Sequence, residues 1–381
     1  MNPDKEIKSL TGLRGIAALY VVIFHFFIGQ RFTNPITTLL AHGYLAVDVF
    51  FVLSGFVMTL TYSHLFDRGH SLVSYATFLG RRIARIYPLY LAGTLCALVL
   101  IRAGILEPPH LRMSGALLSN LFMMQAWGIT ESLDGPGWSI STEWAAYLLF
   151  PMFLLCLMKN RFGRGLALTL SLGALAFLAT NPAAHAHAVD PGALLDVHDW
   201  RHGLPVLRCL AEFVLGMLSY RFTTAPMGMR FALKAWAQNT LAVATIVLLM
   251  LPRTDMFIVC MIPPLLAGVA SGRSLVAHWL SSKPLETAGR YSYSIYMIHT
   301  LLYGVLGWIH AQINALGLPH GQTYAAAVGI ALTIPLAALA YRFIEKPGRT
   351  IIRDLLEEKS STAPTSITVP PLSPIGLDPK I

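Results

Sequence analysis

The chain runs again and again for about twenty residues almost without charge, and this limits the solvent in which it can fold. The first such run is LTGLRGIAALYVVIFHFF, from Leu10 to Phe27. A helix rises about 1.5 Å per residue, so some 20 apolar residues cross the roughly 30 Å hydrocarbon core of a bilayer. There every backbone group must be satisfied within the segment, which selects helices or closed barrels. Only 12% of the 381 residues are charged and 55% are hydrophobic, with a mean hydropathy of +0.59. So few charges cannot cover a water-soluble surface of this size, and the reading is an all-α, polytopic membrane helix bundle. The net charge of +9 would suggest nucleic acid in a soluble protein. In a membrane protein it reads as cytoplasmic loop charge, and no nucleic-acid partner is expected. Cys96, Cys156, Cys209 and Cys260 stand singly in apolar runs, which suits packing and offers no disulfide framework. Asp4 and Glu6 sit beside the N-terminal lysines and no small-residue cleavage pattern follows, so the first run is expected to be a retained helix.

Ten spans with both termini cytoplasmic are expected, at about 11–30, 43–65, 81–100, 135–158, 165–179, 204–220, 240–251, 257–270, 291–309 and 324–341. Residues 116–127 offer about 12 apolar positions, too few to cross, and are expected to be interfacial or re-entrant. Counting them as a span would put Lys159, Arg161 and Arg164 outside, against the positive-inside bias. In the ten-span layout only Arg31, Arg102, Arg112, Arg201, Arg208 and Arg253 lie at the outer side. The other 22 of the 28 Lys and Arg fall inside. Residues 1–358 form the expected membrane domain, and the Ser-, Thr- and Pro-bearing stretch 359–381 is expected to be a disordered cytoplasmic tail.

Polar residues inside the apolar runs mark where chemistry could lie. Arg14 and His25 are eleven residues apart, three turns plus about 20°, so they share a helix face roughly 16 Å apart. Each such group costs about 2.5–3.5 kcal/mol to insert and usually faces a protein interior or a wet cavity. His25, Asp48 and Glu143 all fall about 8–9 Å below the outer surface, which resembles a base with an orienting carboxylate. The plainer alternative is three separate polar contacts between helices. Arg81, Arg82 and Arg85 lie at the cytoplasmic end, spaced so that one helical turn aims them at a single anion such as a phosphate. Topology-setting charge, which suffices for Arg68, is the competing explanation. Ser292, Tyr296 and His299 form an i, i+4, i+7 stripe that is either packing or substrate contact. Gly135-Pro136-Gly137 makes a sharp turn that presents Trp138 as a candidate aromatic platform. His185, His187, His198 and His202 fit no standard zinc spacing and read as solvated, so no metal is expected. No phosphate-cradling glycine loop, serine elbow or HExxH is present.

Five motifs in order, LTGLRGIAALYVVIFHF, VDVFFVLSGFVMT, RRIARIYPLYL, GPGWSISTEW and SYSIYMIH, resemble the membrane-bound acyltransferase-3 family. The resemblance covers Leu10 to about Pro347. It implies a bundle of about ten helices in a bacterial inner membrane, taking acetyl groups from cytoplasmic acetyl-CoA. The implied acceptors are hydroxyls of envelope or exported polysaccharides or glycolipids, with membrane lipids or a polysaccharide assembly complex as further partners. By the same resemblance His25 is the essential histidine of an Arg-x10-His pattern with Arg14. Arg82 and Arg85 contact the coenzyme, and Glu143 is a site carboxylate. Some members carry a fused extracytoplasmic hydrolase-like domain, and here a short tail stands instead. Either this chain finishes the transfer or a separate protein does. A different class, a proton-coupled transporter of a glycan precursor, would use the same buried His, Asp and Glu as a relay, but no internal repeat supports it.

Overall fold

A computed structural model of the chain describes residues 7–27, 34–67, 69, 71–108, 113–185, 193–197 and 202–361. Among them there are helices and no strand. In chain order the first elements are α1 (Lys8–Phe26), α2 (Pro35–Ala41), α3 (Ala46–Tyr62), α4 (Leu72–Arg102), α5 (Met113–Leu121) and α6 (Gly137–Cys156). They are followed by α7 (Arg161–Thr180), α8 (Leu204–Thr223), the bent pair α9 (Pro226–Ala232) and α10 (Ala235–Leu249), and α11 (Asp255–Ala270). The last five are α12 (Leu275–Leu280), α13 (Lys283–Ile298), α14 (Tyr303–Ala315), α15 (Gly321–Ala340) and α16 (Lys346–Ser361).

Among the described residues six helical stretches, Pro35–Phe66 and Gly321–Leu356 among them, are long and apolar enough to cross a membrane, or seven if α9 and α10, bent by 80°, make one span. α8 has the length, at 20 residues, but carries Arg208, Glu212 and Arg221, two of which are wholly buried against its neighbours. α5, at nine residues, is too short to cross, in keeping with the expectation for 116–127. The loop after it, buried at Gln125 and Ala126, is satisfied there by side chains. Asn120 Nδ2 donates to the Glu131 carbonyl at 3.0 Å and Gln125 Nε2 to that of Gly137 at 2.9 Å. Trp127 Nε1 donates to the Ser141 carbonyl at 2.9 Å. Irregular backbone at such a place is tolerated because protein, not lipid, surrounds it.

Three boundaries depart from expectation. The span expected from 81 begins at Leu72, nine residues or about two and a half turns earlier, under a Ser71 cap. The span expected over 291–309 is interrupted by a 3₁₀ turn, His299–Leu302, between α13 and α14. After Ala340 the chain passes through a π turn, Tyr341–Glu345, into α16, so 359–361 of the expected tail are helical. The remainder of that tail, with His187 and His198, lies outside the described residues.

α1 lies along α13, and α3 along α8. Small residues permit both approaches, since packing between membrane helices gains little from hydrophobicity and depends on close contact. A Cβ on Gly289 would stand 1.9 Å from the Thr11 carbonyl oxygen. Gly55 and Gly216 are reciprocal, each meeting a carbonyl oxygen of the opposite helix, Phe213 or Val52, at 1.9 Å. Both neighbours are backbone and cannot swing aside. Gly216→Ala is therefore expected to cost about 1–3 kcal/mol through forced separation of α3 and α8, read as a lowered Tm of the detergent-solubilised protein.

Candidate functional site

A cavity of about 750 Å³ is enclosed by α1, α3, α4, α6 and α13, with α16 at its edge. Among the described residues Arg14, Arg81, Arg82, Arg85, Arg290, Arg349 and Arg353 line it, against one lining carboxylate, Glu143. Such an excess of guanidinium in one space suits an anion with several phosphates, which planar forks bind in bidentate fashion.

Each group is held by its helix neighbours. Arg85 is ion-paired with Glu345 of the π turn, whose other oxygen accepts from Ser294 Oγ at 2.7 Å. Arg82 lies over the Tyr147 ring, 5.0 Å from its centroid, and 6.0 Å from that of Tyr62. Its buried Nε has no hydrogen-bond partner among the described residues. Glu143 accepts from the Tyr147 hydroxyl at 2.5 Å, one helical turn along α6. Ser292 and Tyr296 line the same cavity from α13. Tyr296 narrows its far end, its hydroxyl 2.8 Å from Ser139 Oγ.

His25 and His299 lie beyond Tyr296 and are not part of the cavity lining. They form a pair. His299 Nδ1 is 2.6 Å from the Tyr296 carbonyl oxygen, an acceptor, so it carries the hydrogen and leaves Nε2 as an acceptor. His25 Nδ1 stands 3.2 Å from that Nε2 and 2.8 Å from the Val21 carbonyl oxygen. With acceptors on both sides Nδ1 must bear the hydrogen, so the lone pair of His25 resides on Nε2. His299 is fully buried while His25 is half-buried, which puts the basic nitrogen on the accessible member of the pair.

This corrects the expectation that Asp48 or Glu143 would orient the imidazole. Asp48 is wholly buried and takes both its bonds from the guanidinium of Arg208, with Nε at 3.1 Å from Oδ1. Glu212, one turn along α8, stands 3.5 Å from the same Nε. Arg208, expected as an outer topology charge, is inside the bundle, and a buried guanidinium captures the nearest carboxylate. Glu143 belongs to the arginine cavity, with Tyr147. Trp138 stacks edge-on against Phe51 at 6.1 Å and does not line the cavity.

Four participants were missed by sequence reasoning. Arg349 and Arg353 have the same i, i+4 spacing as Arg81 and Arg85, a signal obscured because RTIIRD follows the last apolar run. Arg290 falls one residue before the span expected from 291 and sits on α13. Asp134, in the loop before α6, accepts from Thr300 Oγ1 at 3.1 Å and thereby ties down the turn that carries His299. Burial pushes its carboxyl up to about 7, although that hydrogen bond pulls it down. Of the outer histidines, His185 and His202 are described, and no group of three or more potential metal ligands occurs among the described residues.

A family model described as an acyltransferase domain matches residues 7–342. The chain belongs to the acyltransferase-3 family. Its relatives agree on the enzyme class. It is 28% identical to the acyltransferase MdmB of Streptomyces mycarofaciens, over 90% of this chain and 91% of that one. It is 28% identical to YrhL of Bacillus subtilis, a protein named for peptidoglycan O-acetylation, over 91% of this chain and 55% of YrhL. The O-acetyltransferase OatA of Staphylococcus aureus is 24% identical over 92% of this chain and 58% of its own length. The chain thus spans just over half the length of YrhL and OatA and nearly all of MdmB. This acyltransferase-3 protein is an O-acyltransferase, a helical protein of the membrane, and its family favours acyl transfer over transport.

Proposed function

We propose that this acyltransferase moves an acyl group, acetyl above all, from cytoplasmic acetyl-CoA to a hydroxyl of an envelope or exported polysaccharide or glycolipid. The observation that carries the reading is the separation of two chemistries. Seven arginines gather around one cavity, and a tautomer-fixed histidine pair stands at the other end of α1. Arg14 and His25 share a face of that helix, roughly 16 Å apart. The orphaned Nε of Arg82 and the surplus of guanidinium fit a phosphate-bearing donor. In this layout ten spans, both termini cytoplasmic, place the arginines at the inner membrane's cytoplasmic face and His25 in the outer half.

When bound, the coenzyme thioester supplies an activated acyl group. The chain supplies the rest. Arginine forks hold the phosphates, and Tyr296 with Ser139 and Ser292 narrows the way onward. His25 Nε2 takes the proton of the acceptor hydroxyl as its oxygen bonds to the acyl carbon, then returns it to the sulfur as the carbon–sulfur bond breaks. His299 Nε2 accepts from His25 Nδ1–H throughout, so the pair stays bonded whether His25 is neutral or charged. Glu143 faces the arginine cavity, where it can position the donor or the acceptor.

The test uses sealed vesicles with labelled acetyl-CoA inside and glycan acceptor outside. Acetylated glycan should appear outside while the adenine part of the coenzyme stays within. Intact coenzyme outside, or proton-coupled glycan uptake without acetylation, would overturn the proposal. In the same preparation Arg82→Ala should weaken acetyl-CoA binding about tenfold or more, with Arg82→Lys recovering part of it.

A further inference from the structure

α16 docks antiparallel on α4. A Cβ at Gly348 would stand 2.5 Å from Pro88 Cβ, and one at Gly80 would stand 2.8 Å from a Leu356 methyl. The two contacts are eight residues apart on each helix, so one register holds across both. That register sets Arg349 and Arg353 beside Arg85 and Arg82, and Arg349 feels the like charges of both. Each pair shares a helix face, and all four line the cavity. Of the nearby carboxylates, Glu345 is engaged by Arg85 and Asp354 by Arg353 at 3.0 Å, which leaves Glu143 alone against seven lining guanidiniums among the described residues. Like charges so arranged repel, and an anion would relieve them.

Depth orders these groups. Arg82 and Arg85 are half-buried, whereas Arg349, Arg353 and Arg290 are exposed at the mouth. An acyl-coenzyme A is ordered likewise, with the acyl group at one end, the pyrophosphate in the middle and the 3′-phosphate on the ribose at the far end. A phosphate monoester carries about −1.5 to −2 charge at pH 7 and three strong acceptor oxygens.

We propose that Arg349 and Arg353 of α16, with Arg290 of α13, form a subsite for the 3′-phosphate of the donor, distinct from the pyrophosphate contacts of Arg82 and Arg85. It rests on the donor reading above and makes the chain selective for 3′-phosphorylated coenzyme. The shared chemistry is a phosphate monoester or diester at a basic mouth, so anionic lipid is the other source to be separated.

The full-length protein in phosphatidylcholine nanodiscs is titrated with coenzyme A and with 3′-dephospho-coenzyme A. Wild type should prefer coenzyme A by about ten- to a hundredfold. The double variant Arg349→Gln/Arg353→Gln should bind coenzyme A only as well as the dephospho form, whose own affinity stays unchanged and so reports an intact site. Equal wild-type affinity for the two, or equal weakening of both in the variant, would overturn the subsite. The titrations are repeated with phosphatidylglycerol in the nanodisc. If the variant then loses bound phosphatidylglycerol while its coenzyme A affinity matches wild type, the arginines serve lipid and the subsite is overturned. No binding of either coenzyme to wild type would overturn the donor reading itself, a result distinct from binding without selectivity.

Discussion

His25→Ala should lower acyl transfer by about 10²–10⁴-fold while leaving the protein folded and able to bind acetyl-CoA. Removing Nε2 removes the base. The side chain is half-buried, so truncation leaves little cavity. His299→Ala should have a smaller effect on kcat, because it deletes one of the two acceptors that fix the tautomer of His25, the Val21 carbonyl remaining, and not the base itself. The double variant should be no slower than His25→Ala alone, since residues acting as a unit are not additive. Turnover of labelled acetyl-CoA in membranes, with coenzyme affinity measured alongside, checks all three. A His25→Ala protein with near wild-type turnover would remove the imidazole from the reaction.

The second large effect is on stability. Arg208→Met should destabilise by about 3–5 kcal/mol, since it strands the carboxylates of Asp48 and Glu212 in a buried place. Asp48→Asn should cost less, because Glu212 remains 3.5 Å from Arg208 as a counter-charge. Thermal unfolding of the purified variants measures the order. Activity separates the two readings of Asp48. If it positions helices, Asp48→Asn loses stability and retains turnover in proportion to folded protein. If it acts on the reaction, turnover falls with Tm unchanged.

The sequence by itself determined the class of the fold and the membrane as its solvent. Run length and charge scarcity are local quantities, and so is the shortfall of the 116–127 segment. It also selected the family, since motif order survives any detail of packing. Arg14, Arg81, Arg82, Arg85, Glu143, Ser292 and Tyr296 could be named as candidates because a polar group in an apolar run is costly wherever it ends up. What they touch could not be read, and there the tertiary structure decided. Depth along a helix is legible from residue count, but azimuth between helices is not. Thus His25, Asp48 and Glu143 share a depth and still face three different partners: His299, Arg208 and Tyr147. The pairing of His25 with His299 spans 274 positions and depends on α1 lying against α13, an approach made possible where Gly289 leaves room for the backbone at Thr11. Arg349 and Arg353 look like inner-side charge after the last apolar run until α16 folds back antiparallel on α4 and brings them to the cavity mouth.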